Sequence, residues 1–150
     1  MTTAPNPVPE VLLVDDNPGD TDLTSEILRH SKHHFHVDVV NDGQKALESL
    51  RRKCDFATAP RPQLILLDLS MPRVDGMSVL REVKSDRALS NIPVVIFTAS
   101  QAAADVTHCY ELGANCYVPK PGNLPDFVHS VEFVADFWLG FASLPQKEKR

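Results

Sequence analysis

Three runs of four apolar residues constrain this chain more than any other feature: Val11-Leu12-Leu13-Val14, Leu64-Ile65-Leu66-Leu67 and Val94-Val95-Ile96-Phe97. A strand with one wet face alternates apolar and polar residues. A continuous run suits a strand covered on both faces, as in a parallel sheet with helices above and below. Two further runs, Phe35 to Val40 and Cys116-Tyr117-Val118, bring the predicted strands to five.

The intervening segments have helical spacing. Asn17-Pro18 offers an N-cap with proline at the first helical position, ahead of Leu23, Ile27 and Leu28 on one face. Ala46, Leu47 and Leu50 follow strand 2, and Met77, Val79, Leu80 and Val83 follow strand 3. Ser100 is expected to cap a helix through Val106, Cys109 and Leu112, which Gly113 ends. A last helix is expected from about Leu124 to about Phe141. Five βα units predict an α/β fold with right-handed crossovers. Pro119, which lacks a ladder donor, places strand 5 at the sheet edge. Asn41-Asp42-Gly43 reads as turn chemistry.

Ligands of open α/β sheets bind outside the carboxyl ends of the strands. Strand 1 delivers Asp15-Asp16 there, strand 3 delivers Asp68, strand 4 Thr98, and strand 5 Lys120-Pro121. Carboxylates brought so close repel one another and raise one another's pKa. A hard divalent cation relieves this, and oxygen ligands suit Mg²⁺. Lysine and threonine suit phosphate oxygens. The set fits Mg²⁺-assisted phosphoryl transfer.

The order Asp-Asp, Asp, Thr, Lys-Pro, each after an apolar strand, resembles the receiver domain of two-component response regulators. Met71-Pro72-x-x-Asp75-Gly76-Met77, Glu111-Leu112-Gly113-Ala114 and Tyr117 three positions before Lys120 extend the resemblance over residues 10 to 139. Asn17-Pro18-Gly19-Asp20, Pro72-Arg73, Ala114 to Val118 and Asp136-Phe137-Trp138-Leu139 look like the small response regulators paired with bacterial and cyanobacterial phytochrome histidine kinases.

The resemblance implies a flavodoxin-like (βα)5 doubly wound sheet of order 2-1-3-4-5. It implies that Asp68 accepts a phosphoryl group from a kinase's phosphohistidine, with Asp16 on Mg²⁺ directly, Asp15 largely through water, and the Ser70 carbonyl completing the protein ligands. Lys120 would pair with Asp68 or its phosphoryl group. Thr98 and Tyr117 would form the switch that alters the helix 4–strand 5–helix 5 surface. Such a receiver catalyses its own phosphorylation, loses the group slowly, and is not a turnover enzyme. Pro119 directly before the lysine and Ser70 depart from the commonest pattern, and neither removes a reacting group.

Other classes fit less well. A phosphatase of the haloacid-dehalogenase type wants an aspartate two positions after the nucleophile as general acid, and Ser70 stands there. A flavin or nucleotide binder needs a phosphate-cradling loop after strand 1, where Asp15-Asp16 would repel phosphate. A receiver that binds partners without phosphorylation would not need the full set of reacting residues. With 15 basic and 20 acidic residues and a net charge of −5, the chain is no general nucleic-acid binder. Apolar residues at 43% argue against disorder. Three widely spaced cysteines, Cys54, Cys109 and Cys116, suggest a reducing compartment. No apolar run could span a bilayer and Met1 to Pro9 lacks signal-peptide features, which together predict a cytoplasmic protein.

His30 and His34 stand at metal-ligand spacing, but a solvated helix end suits them better. In helix 5, Leu124, Phe127, Val128, Val131, Val134, Ala135 and Trp138 share a core stripe. Phe133 and Phe137 project outside it and Phe141 lies at its margin, an aromatic surface that fits a homodimer contact on the helix 4–strand 5–helix 5 side. The expected domain is 8–141, with flexible tails 1–7 and 142–150 and no output domain. The expected partners are a phytochrome-type histidine kinase and a downstream protein or phosphotransfer partner.

Overall fold

A computed structural model describes residues 8–53 and 56–145. The strands are β1 (Glu10–Val14), β2 (His36–Val40), β3 (Leu64–Leu67), β4 (Val94–Thr98) and β5 (Cys116–Pro119). The helices are α1 (Pro18–Arg29), α2 (Gly43–Leu50), α3 (Gly76–Ser85), α4 (Ala103–Glu111) and α5 (Leu124–Ala135). All strand pairs are parallel, in the order β2-β1-β3-β4-β5, and Pro119 sits on an edge strand as expected.

The continuous apolar runs are divided by the period of two. Leu12, Val14, Ile65, Leu67, Val94 and Ile96 pack in one core with residues of α2, α3 and α4. Val11, Leu13, Leu64, Leu66, Val95 and Phe97 pack in a second core with α1 and α5. The three central strands need side chains on both faces because each face is covered.

Local chemistry sets the helix starts. The side chains of Asn17, Asp42, Asp75 and Asn123 accept backbone N–H bonds at the starts of α1, α2, α3 and α5. Asn41-Asp42-Gly43 is therefore the start of a helix as well as a turn. Gly43 is required there, since a Cβ would lie 2.1 Å from the Val74 carbonyl oxygen. Gly113 follows α4 with φ +105°, the left-handed geometry of a helix C-terminus.

Two expectations need correction. Ser100 does not cap α4, which starts at Ala103 after Ala102 with no side-chain cap bond; the Ser100 hydroxyl donates to Asp105 instead. Leu124 is not in the core but 59% exposed, because it opens α5 one turn before Phe127, the first residue of the helix to be buried. The last helix runs from Leu124 to Phe141 as expected, regular α to Ala135 and π-helical over Asp136–Phe141. The Ala142 N–H donates to the Phe137 carbonyl, and the Gln63 side chain donates to the Pro145 carbonyl. The expected tails 1–7 and 146–150, and Cys54, lie outside the described residues.

Candidate functional site

The parallel sheet brings together residues that are far apart in sequence. Asp15 and Asp68 follow β1 and β3 in neighbouring positions, and the Asp68 N–H donates to the Val14 carbonyl at 2.9 Å. The Asp15 N–H donates to the Val40 carbonyl at 3.1 Å. Across the sheet, the Lys120 N–H donates to the Thr98 carbonyl at 2.6 Å, which fixes the lysine just past β5. Beyond Asp68 the loop turns back through Gly76, whose N–H donates to the Leu69 carbonyl. A Cβ at Gly76 would lie 2.1 Å from the Asp68 carbonyl oxygen, so only glycine permits this approach.

At the centre is the Lys120 ammonium. It donates to Asp15 Oδ2 at 2.7 Å, Asp20 Oδ2 at 2.8 Å and Asp68 Oδ2 at 3.2 Å. Carboxylate oxygens of Asp15, Asp16 and Asp68 all lie within 4.8 Å of one another. Asp15 and Asp68 are buried, and Asp16 is exposed. Asp15 Oδ1 accepts the Asn17 N–H, and Asp68 Oδ1 accepts the Ser70 N–H.

The electrostatics follow from burial and charge. Burial drives the Asp15 carboxyl up to about 6; the hydrogen bonds from Lys120 and Asn17 oppose this, and the charge of Asp68 adds to it. Burial alone would depress the Lys120 ammonium. Its hydrogen bonds to Asp15 and Asp20 and the nearby charge of Asp68 more than offset that and raise its pKa overall. Three carboxylates hold one ammonium and Asp16 lies beside two of them, which leaves an excess of negative charge, part of it buried. The donor set is all oxygen, so a hard divalent cation beside Asp15, Asp16 and Asp68 fits it.

Thr98 closes β4 fully buried, and its hydroxyl has no hydrogen-bond partner among the described residues. An unpaired buried hydroxyl is costly unless something in its working state engages it. Tyr117 is also buried, with its hydroxyl donating to the Ser100 carbonyl at 2.9 Å. Burial raises its phenol pKa. Ser70 is exposed beside Asp68. No peptide bond among the described residues is cis, that between Lys120 and Pro121 included. Phe133, Phe137 and Phe141 are 73%, 41% and 84% exposed, and the Phe137 and Phe141 rings stack at 6.0 Å.

Two residues of the site region escaped the sequence reading. Asp20 was only part of a run, although an aspartate in the first turn of a capped helix was a usable sign. Tyr110 lies on α4, and its hydroxyl oxygen accepts the Tyr117 N–H at 3.2 Å on the open edge of β5. The histidines do not gather around a site. His30 contacts Glu26, and His33 contacts Asp136 at 2.9 Å. Among the described residues, no grouping of three or more ligand-type side chains includes a histidine.

A sequence model of the response regulator receiver domain matches residues 11–132. The chain is 39% identical to "Response regulator Rcp1" of Synechocystis sp. over 145 residues, covering 97% of this chain and 99% of that protein. It resembles the crystal structure of the Mn²⁺-bound form of Rcp1 with a TM-score of 0.90, over 92% of this chain and 99% of the other. The crystal structure of the phosphorylated cyanobacterial phytochrome response regulator RcpA gives a TM-score of 0.90 at 41% identity, over 93% of this chain and 100% of that one.

Proposed function

The chain belongs to the response regulator receiver domain family, related to phytochrome response regulators, and from that premise we propose that it accepts a phosphoryl group from a histidine kinase onto Asp68. The observation that carries this reading is the Lys120 ammonium 3.2 Å from Asp68 Oδ2, in a site where Asp15, Asp16 and Asp68 converge.

In the proposed reaction an Asp68 carboxylate oxygen attacks the phosphorus of the kinase's phosphohistidine. A P–O bond forms as the P–N bond breaks, and the imidazole departs with the electron pair. Mg²⁺, held by Asp16, Asp68 and the Ser70 carbonyl with Asp15 acting through water, would neutralise charge on the phosphoryl oxygens. Lys120 holds the opposite side of the Asp68 carboxylate and supplies a cation to the product. The Thr98 hydroxyl, buried and unpaired, gains a phosphoryl oxygen as its partner. Tyr117 then exchanges its Ser100 contact for a new inward position, which reshapes the α4–β5–α5 surface.

We assign the kinase to the phytochrome type because the chain is 41% identical to RcpA. The receiver acts through contact with a downstream protein or phosphotransfer partner. It catalyses its own labelling and slow hydrolysis and is not a turnover enzyme. Its setting is the cytoplasm, and no helix among the described residues is long and apolar enough to cross a membrane. A homodimer forms through Phe133, Phe137 and Phe141. Phe133 lies on α5, and Phe137 and Phe141 on the π-helical segment that follows it. Incubation with Mg²⁺ and acetyl phosphate, then intact mass and peptide mapping, tests the reading. A phosphoryl adduct on Asp68 supports it, and an adduct elsewhere or none at all overturns it.

A further inference from the structure

The three hydrogen-bond donors of the Lys120 ammonium are all taken. Asp15 and Asp20 hold it at 2.7 and 2.8 Å, and Asp68 at 3.2 Å. Forming the acyl phosphate takes the charge off the Asp68 carboxyl, so its own hold on the lysine weakens as the phosphoryl group arrives; that dianionic group gains the ammonium fully only if a second partner also lets go. Asp15 and Asp20 are not equally able to do so. The side chains of Asp15 and Asp68 are 4% and 7% exposed, and that of Asp20 is 32% exposed. A carboxylate stripped of its cation inside the protein is heavily penalised, whereas one at the rim is rehydrated.

The local structure holds Asp20 in place for this. Pro18 opens α1. The Asn17 side chain accepts the Asp20 N–H at 3.0 Å, which presents Asp20 in the first turn toward Lys120. Asp22, two residues on, is exposed and makes no contact with Lys120.

We propose that Asp20 is a positioning residue that competes with the phosphoryl group for Lys120, so that phosphorylation exchanges the Lys120–Asp20 ion pair for a Lys120–phosphoryl pair. Asp20 thereby weakens the phosphorylated state and sets how readily the receiver is held active. This rests on Asp68 being the acceptor.

Beryllofluoride, which binds an aspartate carboxylate as a phosphoryl mimic, reads the exchange at equilibrium. Bound and free fluoride are resolved by ¹⁹F NMR at saturating Mg²⁺. Asp20→Asn and Asp20→Ala are expected to lower the half-saturating concentration about three- to tenfold, the range of a partly exposed ion pair. Asp22→Asn, which removes an equal charge nearby, should leave it unchanged. In a Lys120→Ala background Asp20→Asn should bring no gain, because the lysine it competes for is gone. An unchanged or higher half-saturating concentration in both Asp20 variants overturns the proposal, as does an equal gain from Asp22→Asn or a full gain without Lys120. If the wild-type protein takes up no beryllofluoride, the assignment of Asp68 itself fails, and that result is distinct from the others.

Discussion

The Lys120 ammonium lies 3.2 Å from the Asp68 carboxylate, with both groups buried and 52 residues apart in sequence. Removing the cation leaves Asp68 and Asp15 buried without a counter-charge. Lys120→Ala is therefore expected to destabilise protein stripped of divalent cations by about 3 kcal/mol, measured by urea unfolding. Mg²⁺ should still bind and recover most of that loss. Phosphorylation should no longer move Tyr117 from its Ser100 contact, and an unaltered Tyr117 response, read by NMR, would remove Lys120 from the switch.

Asp68→Asn removes one charge from the crowded cluster while Asp15 and Asp20 keep Lys120 paired. The metal-free variant should be more stable than wild type by about 1 kcal/mol, and labelling by acetyl phosphate should vanish. Equal stability of the two metal-free proteins would mean that the carboxylates do not repel.

Asp15 makes metal-free stability depend on pH. Burial raises its pKa from 3.8 to about 6, so the folded state binds the proton more tightly than the unfolded state. Its contribution is fully present below about pH 4 and is lost as pH rises through about 6. Mg²⁺ bound at the deprotonated cluster acts in the opposite sense. The rise in Tm on adding Mg²⁺ should be about 5 °C at pH 7 and clearly smaller at pH 5, read by scanning calorimetry. A larger rise at pH 5 would contradict the assignment.

Thr98→Val replaces a buried hydroxyl that has no partner with a methyl group of similar shape. Stability should be unchanged or higher by up to about 1 kcal/mol. Asp68 should still be labelled, while the movement of Tyr117 from its Ser100 contact on labelling, read by NMR, should be lost. A variant that responds like wild type would leave Thr98 an ordinary strand residue.

Phe133 is 73% exposed on α5, beside the stacked Phe137 and Phe141. Phe133→Asp should leave the Tm within about 1 °C, because no core contact is lost. It should convert a dimer to a monomer in size-exclusion chromatography with light scattering. An unchanged molecular mass would place the dimer contact on another surface.

Much of this could be read from the chain itself. The four-residue apolar runs specified central parallel strands, since a period of two leaves no wet face in such a run. Asn17-Pro18 marked a helix start through its cap and its missing donor. Asp15, Asp16, Asp68, Thr98 and Lys120 were legible as site residues because each directly follows or ends a predicted strand, and strand ends are where such sheets bind ligands. Where local rules failed, a tertiary contact had won. Ser100 was free to cap a helix by propensity, yet its hydroxyl bonds Asp105 and its carbonyl receives Tyr117. Leu124 matched the apolar stripe of α5, but periodicity carries no information on where a helix first meets the sheet.

Strand identity and the list of reacting side chains were thus written in the order and spacing of the amino acids, because burial on two faces and capping are local requirements; the strand order came from the family resemblance. That Asp20 would reach Lys120 from 100 positions away, that Tyr110 would close the edge of β5 at Tyr117, and that Thr98 would be left without a partner were decided only by the packed chain. Each depends on how far one element sits from another. Those separations are set by side chains filling the two cores, which no single segment encodes.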